Sequence, residues 1–328
     1  MKKHKICKIL LVILAIFLCV AFYELLGICV AYKKQPEVSN TTKKETKNGS
    51  WNECSENTER AVIIEKNPEA LLQRVRLIKN AKKEIILSTF AFQSDESGKL
   101  ILGALHDAAD RGVHIRLLVD GMESWIDMEG NPYFYGLSSH ENVEIKLYNK
   151  ANPLKPWKMM GRMHDKYLIA DGKRYILGGR NTYNYFLGDF PGHKNYDRDV
   201  LVVCDEPEKE NSVNQLLEYF ETIWEQEDSG YFHDNKKLAN RKSVKNAVLE
   251  LQNSYQKYFE ENKERICDTD YTDETFETEK IALVSNPIHT GSKEPVVWYQ
   301  LGELMKNAKN RVKIHTPYII CNDMIDRK

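Results

Sequence analysis

The stretch 162-RMHDKYLIADGKRYILGGRNTYNYF-186 decides how the chain is read. Residues 164-HDKYLIA-170 alternate as a strand, which places His164, Lys166 and Leu168 on one face and Asp165, Tyr167 and Ile169 on the other. Asp171-Gly172 is a strong hairpin signal, and 174-RYILGG-179 runs back from it. In a hairpin turning at 171–173, paired residue numbers sum to about 343–345, so Asn181 falls opposite residues 162–164. His164, Lys166 and Asn181 therefore gather at one end of the hairpin. Asp171 sits at the other end, ~20 Å away along a straight strand, which favours a supporting role for it.

An imidazole, an ammonium and an amide brought together suit one kind of chemistry. With a pKa near ~6.5, a histidine is neutral and nucleophilic at working pH. A lysine and an amide donor hold phosphate oxygens and offset charge that builds in the transition state. Gly178 and Gly179 let backbone approach an anion closely. The combination fits phosphoryl transfer through a phosphohistidine. His164 and Lys166 alone would read as a satisfied structural pair; the spacing to Asp171, Gly178, Gly179 and Asn181 turns the reading towards a functional site.

Those six residues match H-x-K-x4-D-x6-G-G/S-x-N, and the segment resembles the signature of the phospholipase D superfamily. The flanks 85-IILSTFAF-92, 112-GVHIRLLVDG-121, 178-GGRN-181 and 316-TPYI-319 look like its bacterial cardiolipin synthase branch, over roughly residues 60–328. The resemblance implies a metal-independent, cofactor-free enzyme with His164, Lys166 and Asp171 in the catalytic motif. It implies that His164 attacks the phosphodiester, that Lys166 and Asn181, with Gly179, hold the phosphate oxygens, and that an alcohol or water releases the phosphatidyl group. It also implies a downstream acid that orients the histidine. In 195-NYDRDVLVV-203 the first choice is Asp199, opening a strand, and the second is Asp197. The implied partners are a phospholipid, with phosphatidylglycerol foremost, and a membrane. Hydrolysis by the same site, as a phospholipase D or another phosphodiesterase, is the alternative.

The rest of the chain bounds this reading. Its 328 residues with 42% hydrophobic content suffice for a large core, and a net charge of −1 argues against a nucleic-acid partner. The seven cysteines include no C-x-x-C, which argues against a zinc site, and disulfides are not deducible. Residues 9–32 are apolar apart from Glu24 and follow Lys2, Lys3, Lys5 and Lys8, so residues 1–34 are expected to be an uncleaved anchor with its N-terminus in the cytoplasm and the catalytic part outside. Lysines beyond the span weaken that orientation, and a cleaved signal peptide is the rival. Residues 35–60 read as a polar tether.

Alternation of helix (68–83, 97–111) with strand (85–92, 113–121, 143–148, 199–204) predicts an α/β fold, a phospholipase D-like mixed sheet flanked by helices. Residues 212–226 read as a helix capped by Ser212. A first domain is expected at 61–235, a helical and acidic connector at 236–280, and the start of a second domain at 281–328. The second start rests on a repeat, 77-LIKNAKKEIILSTFAF-92 against 304-LMKNAKNRVKIHTPYI-319. One complete repeat and the beginning of another leave a single H-x-K motif, since His289 and His315 lack its spacing. Three readings stand: a truncated product, which is favoured; a homodimer sharing two copies of His164; or an inactive remnant. Between Lys150 and Arg180 there are eight Lys or Arg and two Asp, interleaved with Trp157, Met159 and Met160. This loop either meets anionic lipid or packs its apolar residues on the core. His193 reads as an ordinary loop residue.

Overall fold

A computed structural model describes residues 2–31, 33, 36–47, 59–204, 211–233 and 235–314. Its strands are β1 (Glu59–Ile64), β2 (Glu84–Thr89), β3 (His114–Asp120), β4 (Val143–Tyr148), β5 (Lys166–Ala170), β6 (Arg174–Gly178), β7 (Asp199–Cys204), β8 (Ser229–Tyr231) and β9 (Phe276–Glu277). They form one sheet in the order β8-β4-β3-β2-β5-β6-β7-β1-β9. β2, β3 and β4 are parallel, and every other neighbouring pair is antiparallel.

The helices are α1 (Lys2–Ala31), α2 (Asn40–Lys47), α3 (Asn67–Asn80), α4 (Glu96–Asp110), α5 (Gly121–Asp127), α6 (Pro132–Ser138), α7 (Ser212–Trp224), α8 (Lys242–Glu261), α9 (Lys263–Cys267) and α10 (Val296–Asn307). The parallel strands need crossovers, which α4 and the pair α5–α6 supply. Apolar residues of α3, α4, α6 and α8 bury one face of the sheet against Leu87, Leu117, Ile145, Leu168 and Leu201. α7 covers the other face through Val213, Leu216, Phe220 and Ile223 against Ile86, Tyr167, Ile169 and Val202. The mixed sheet with helices on both faces is the predicted fold class.

The hairpin has the predicted register, with Leu168 opposite Ile176 and Ala170 opposite Arg174. β5 starts at Lys166 rather than His164, and β6 ends at Gly178, so Asn181 lies beyond the ladder. Other differences have local causes. The cap of α7 is Asn211, whose side chain accepts from Asn214 N–H, while Ser212 Oγ donates to buried Glu59 at 2.6 Å. β3 leads into α5, because Asp120 caps that helix through Met122 and Glu123 N–H. The stretch read as a tether contains α2. The acidic connector is only partly exposed, since Asp268, Asp270 and Glu274 surround the buried Arg76. In the second copy of the repeat the helix is present as α10, residues 311–314 form no strand, and residues 315–319 lie outside the described residues. Cys7, Cys19, Cys29 and Cys267 are free thiols.

Polar clamps hold the sheet at both ends of the hairpin. At the turn, Asp171 adopts a left-handed backbone (φ 54°), and its carboxylate accepts from the N–H groups of Lys82, Lys83 and Glu84 at 2.7–3.1 Å. It ties the hairpin to the α3–β2 connection. At the opposite end, buried Asp199 pairs with Arg74 at 2.9 Å and Arg180 at 3.2 Å. Arg180 also donates to the carbonyls of Ile64, Glu65 and Asp197 and to Asn67 Oδ1. One guanidinium thus links the ends of β1 and β6, the start of α3 and the approach to β7.

Asp171→Ala leaves three backbone N–H donors without their acceptor and an alanine in a left-handed conformation, so a loss of about 1–3 kcal/mol in urea unfolding is expected. Asp199→Asn leaves two buried guanidinium groups without their anion and is expected to cost about 3–5 kcal/mol in the same assay. Unfolding midpoints equal to the parent's would remove both clamps from this account.

Candidate active site

The carboxyl ends of β2, β3 and β4, the start of β5 and the end of β6 all point to one edge of the sheet. That edge is where the parallel half meets the antiparallel half, between β2 and β5. Open α/β sheets place ligand crevices outside the carboxyl ends of their parallel strands. A cavity of ≈ 380 Å³ opens there, lined by Arg162, His164, Asp165, Lys166, Tyr219 and Lys293 among others.

His164 is exposed in this cleft, and its ring lies 4.6 Å from the ring of Phe90, just past β2. Arg162 and Lys166 flank the same Phe90 ring at 5.0 and 5.2 Å. The histidine is placed by its neighbours in the chain. Arg162 forms a fork on Asp120 at 2.7–3.0 Å and reaches Glu123 at 3.0 Å, while Met163 N–H donates to Asp120 Oδ2. Buried Asp120 therefore fixes the two residues that precede His164. Partial burial pushes the His164 imidazole below its ordinary range, and the cations of Lys166 and Arg162 add to this against the opposing pull of Asp120. The ring is thus neutral at neutral pH.

Lys166 is buried, and its Nζ donates to the His164 carbonyl at 2.6 Å. Burial pushes its ammonium down to about 8, although Asp165, Asp197 and Asp120 pull the other way. Asp165 is raised by burial, against the hydrogen bond from Tyr219 Oη at 2.7 Å. Asn181 is buried after β6. Its Oδ1 accepts from Ala91 N–H at 3.2 Å, which aims its amide nitrogen away from that contact, free to donate to a ligand.

The structure separates the remaining sequence candidates. Asp171 is at the far end of the hairpin, bound to backbone, and does not line this cleft. Asp199, the first choice for orienting His164, is committed to Arg74 and Arg180. Asp197, the second choice, is one of three carboxylates, with Asp165 and Asp120, whose field reaches Lys166. The glycines answer a different need from the expected one. A Cβ at Gly178 would lie 2.0 Å from Asp199 Oδ1, and one at Gly179 would lie 2.1 Å from Asp197 Oδ2. Close approach of these two aspartates requires both glycines. His193 is an exposed loop residue packed on Tyr185. Exposed His289 accepts from Gly291 N–H, and His315 lies outside the described residues. Among the described residues no cluster of His, Cys, Asp or Glu could hold a metal ion.

Sequence reading missed Phe90, Asp120 and Arg162. Asp120-Gly121 was legible only as a turn, and Arg162 sits inside the quoted stretch with no spacing rule to mark it.

Comparison with known proteins finds relatives in sequence and in structure. A family model described as cardiolipin synthase, PLD-like domain, matches residues 74–224. Cardiolipin synthase C of Escherichia coli (strain K12) is 29% identical over 171 residues, covering 48% of this chain and 34% of that protein. An uncharacterised protein of Helicobacter pylori (strain ATCC 700392 / 26695) is 29% identical over 288 residues, covering 79% and 54%. Phosphatidylserine synthase of Haemophilus influenzae Rd KW20 is a structural neighbour with a TM-score of 0.46 and 16% identity, covering 67% of this chain and 48% of that one. The chain spans between about a third and about a half of the length of the first of these curated relatives. With the H-x-K, G-G-x-N and downstream acidic residues gathered at one edge of a mixed sheet, residues 74–224 match the PLD-like domain that this family model describes.

Proposed function

We propose that the chain transfers a phosphatidyl group between alcohols at the His164 cleft, in the manner of a cardiolipin synthase. The observation that carries this is a neutral, exposed imidazole beside a buried ammonium, next to an anchor-like apolar helix. An imidazole nitrogen of His164 attacks the phosphorus of phosphatidylglycerol. The P–N bond forms as the P–O bond to glycerol breaks, and the leaving alkoxide takes a proton. The primary hydroxyl of a second phosphatidylglycerol then attacks the phosphorus, giving its proton to the group that protonated the glycerol, and the P–N bond breaks to yield cardiolipin and free His164. Lys166 and the amide of Asn181 hold the non-bridging oxygens and offset their growing charge. Arg162 is held by Asp120 and positions the histidine. Asp197 keeps Lys166 from losing more of its proton. A proton donor for the leaving group comes, in this reading, from His164 of a second copy facing the first across the cleft. Residues 5–31 form a helix long and apolar enough to cross a membrane, which supports a membrane-held lipid enzyme over one acting on nucleic acid.

Detergent-solubilised protein incubated with labelled phosphatidylglycerol, followed by thin-layer analysis, is expected to give cardiolipin and glycerol. Phosphatidic acid in their place would make the chain a hydrolase. His164→Ala is expected to abolish product and acid-labile phosphate on the protein; product from purified His164→Ala would sink the mechanism.

The pH profile is expected to be a bell. Rate rises as His164 loses its proton, at a pKa below the ordinary ~6.5. It falls near pH 8 as Lys166, pushed down to about 8, loses its own. Because Asp197 raises the lysine's affinity for its proton, Asp197→Asn is expected to move the alkaline limb to lower pH and leave the acid limb in place. An unchanged alkaline limb would remove Asp197 from the site.

A further inference from the structure

Residues 150–160 follow β4 and lead to Arg162, two residues before His164. Three of its large apolar residues stay exposed. Leu154 is 77% exposed, Trp157 43% and Met160 56%. Beside it, Met122 of α5 lines the same hollow as Asn149, Lys155 and Met159, and the free edge of α5 shows Trp125 and Ile126 at 67% each. Scattered exposed apolar residues need no explanation, but five large ones on adjoining segments at one end of a sheet do.

The position of the first helix supplies one. Tyr23 Oη donates to the Leu154 carbonyl at 3.1 Å. Pro156 packs on Gly27 so closely that a Cβ there would sit 2.5 Å from Pro156 Cγ. Ser292 Oγ donates to the Ala31 carbonyl at 3.0 Å, and the adjoining Lys293 reaches the Arg162 carbonyl at 3.3 Å. The last two turns of α1, the loop and the entry to His164 are thus one contiguous block. At ~1.5 Å per residue, Gly27 lies about 6 Å inside the end of the helix, the depth of a headgroup layer. Tyr23 and Trp157 there are the residue types that settle at such interfaces. Lys158 is matched by Asp228 at 2.6 Å, which leaves Lys150 and Lys155 as the exposed cations of the loop.

We propose that residues 150–160, with the Trp125–Ile126 edge of α5, form a rim that inserts into an anionic phospholipid surface beside α1 and holds the mouth of the His164 cleft against it. This rests on reading α1 as a membrane anchor, and not on the identity of the reaction.

The test uses the full chain reconstituted in vesicles of phosphatidylcholine and phosphatidylglycerol with brominated acyl chains. Trp224 is walled into the core and is shielded from bromine. In a chain that also carries Trp51→Phe and Trp298→Phe, so that Trp125 and Trp157 are the tryptophans outside the core, Trp157→Phe is expected to lower the quenchable fluorescence by about half, and Leu154→Asp/Met160→Asp to lower it similarly with Trp157 retained. Phosphatidylcholine alone is expected to give weaker quenching; equal quenching overturns the preference for anionic lipid. Protein that floats with the vesicles but loses no quenching in Trp157→Phe overturns the rim and spares the anchor. Protein that fails to float after a high-salt wash overturns both, whatever its activity in detergent.

Discussion

Arg180 is the constraint on which the site depends. Its guanidinium is fully enclosed and meets Asp199, Asn67 and three backbone carbonyls. Burial weakens its hold on its proton, against the field of Asp199, so the charge is retained only because these acceptors surround it. The residue lies between Gly179 and Asn181. The strand end that carries the asparagine is therefore set by an ion pair next to it, and the glycines before it exist to let the acidic partners come close. The binding groups and their scaffold share one short segment.

Much of the fold was legible because its strands are short apolar runs punctuated by Gly and by capped helices. The hairpin was legible in register, since Asp171-Gly172 fixes the turn and the alternation of Tyr167, Leu168 and Ile169 fixes the faces. The site was legible as far as spacing reaches. Lys166 comes to that end because strand pairing puts it there, and His164 and Asn181 because they flank the paired strands. What spacing does not encode is which acid serves which cation. Asp197 and Asp199 differ by two residues and by the side to which the chain turns after Gly179, and only packing separates them. Asp120 and Phe90 come from strands distant in sequence, and they act through residues that carry no motif. The cap of α7 was misplaced by one residue because Asn211 and Ser212 are equally good caps in isolation; the buried Glu59 took the serine.

Electrostatics and shape work together at the cleft. Three cations, Arg162, Lys166 and Lys293, line the cleft. Arg162 is held by Asp120 and Glu123, and Asp165 is held by Tyr219 and by burial in a form that binds its proton more readily. Phe90 under His164, Arg162 and Lys166 excludes water from one side and limits the ways in which these three groups can move apart.

The pairing of β1 has a consequence for how the chain assembles. Glu59 pairs with Cys204 and Arg60 with Glu277, so the first strand of the sheet finds its neighbours only after most of the domain has been made. Closure over such long loops is slow, and an apolar strand waits with both edges bare in the meantime. On a ribosome whose first product is a long apolar helix, that strand would wait close to lipid. The order of synthesis thus makes the sheet's first strand its last to dock, and the parallel unit β2-β3-β4, whose contacts are local, is the part able to form while the rest of the chain is still emerging.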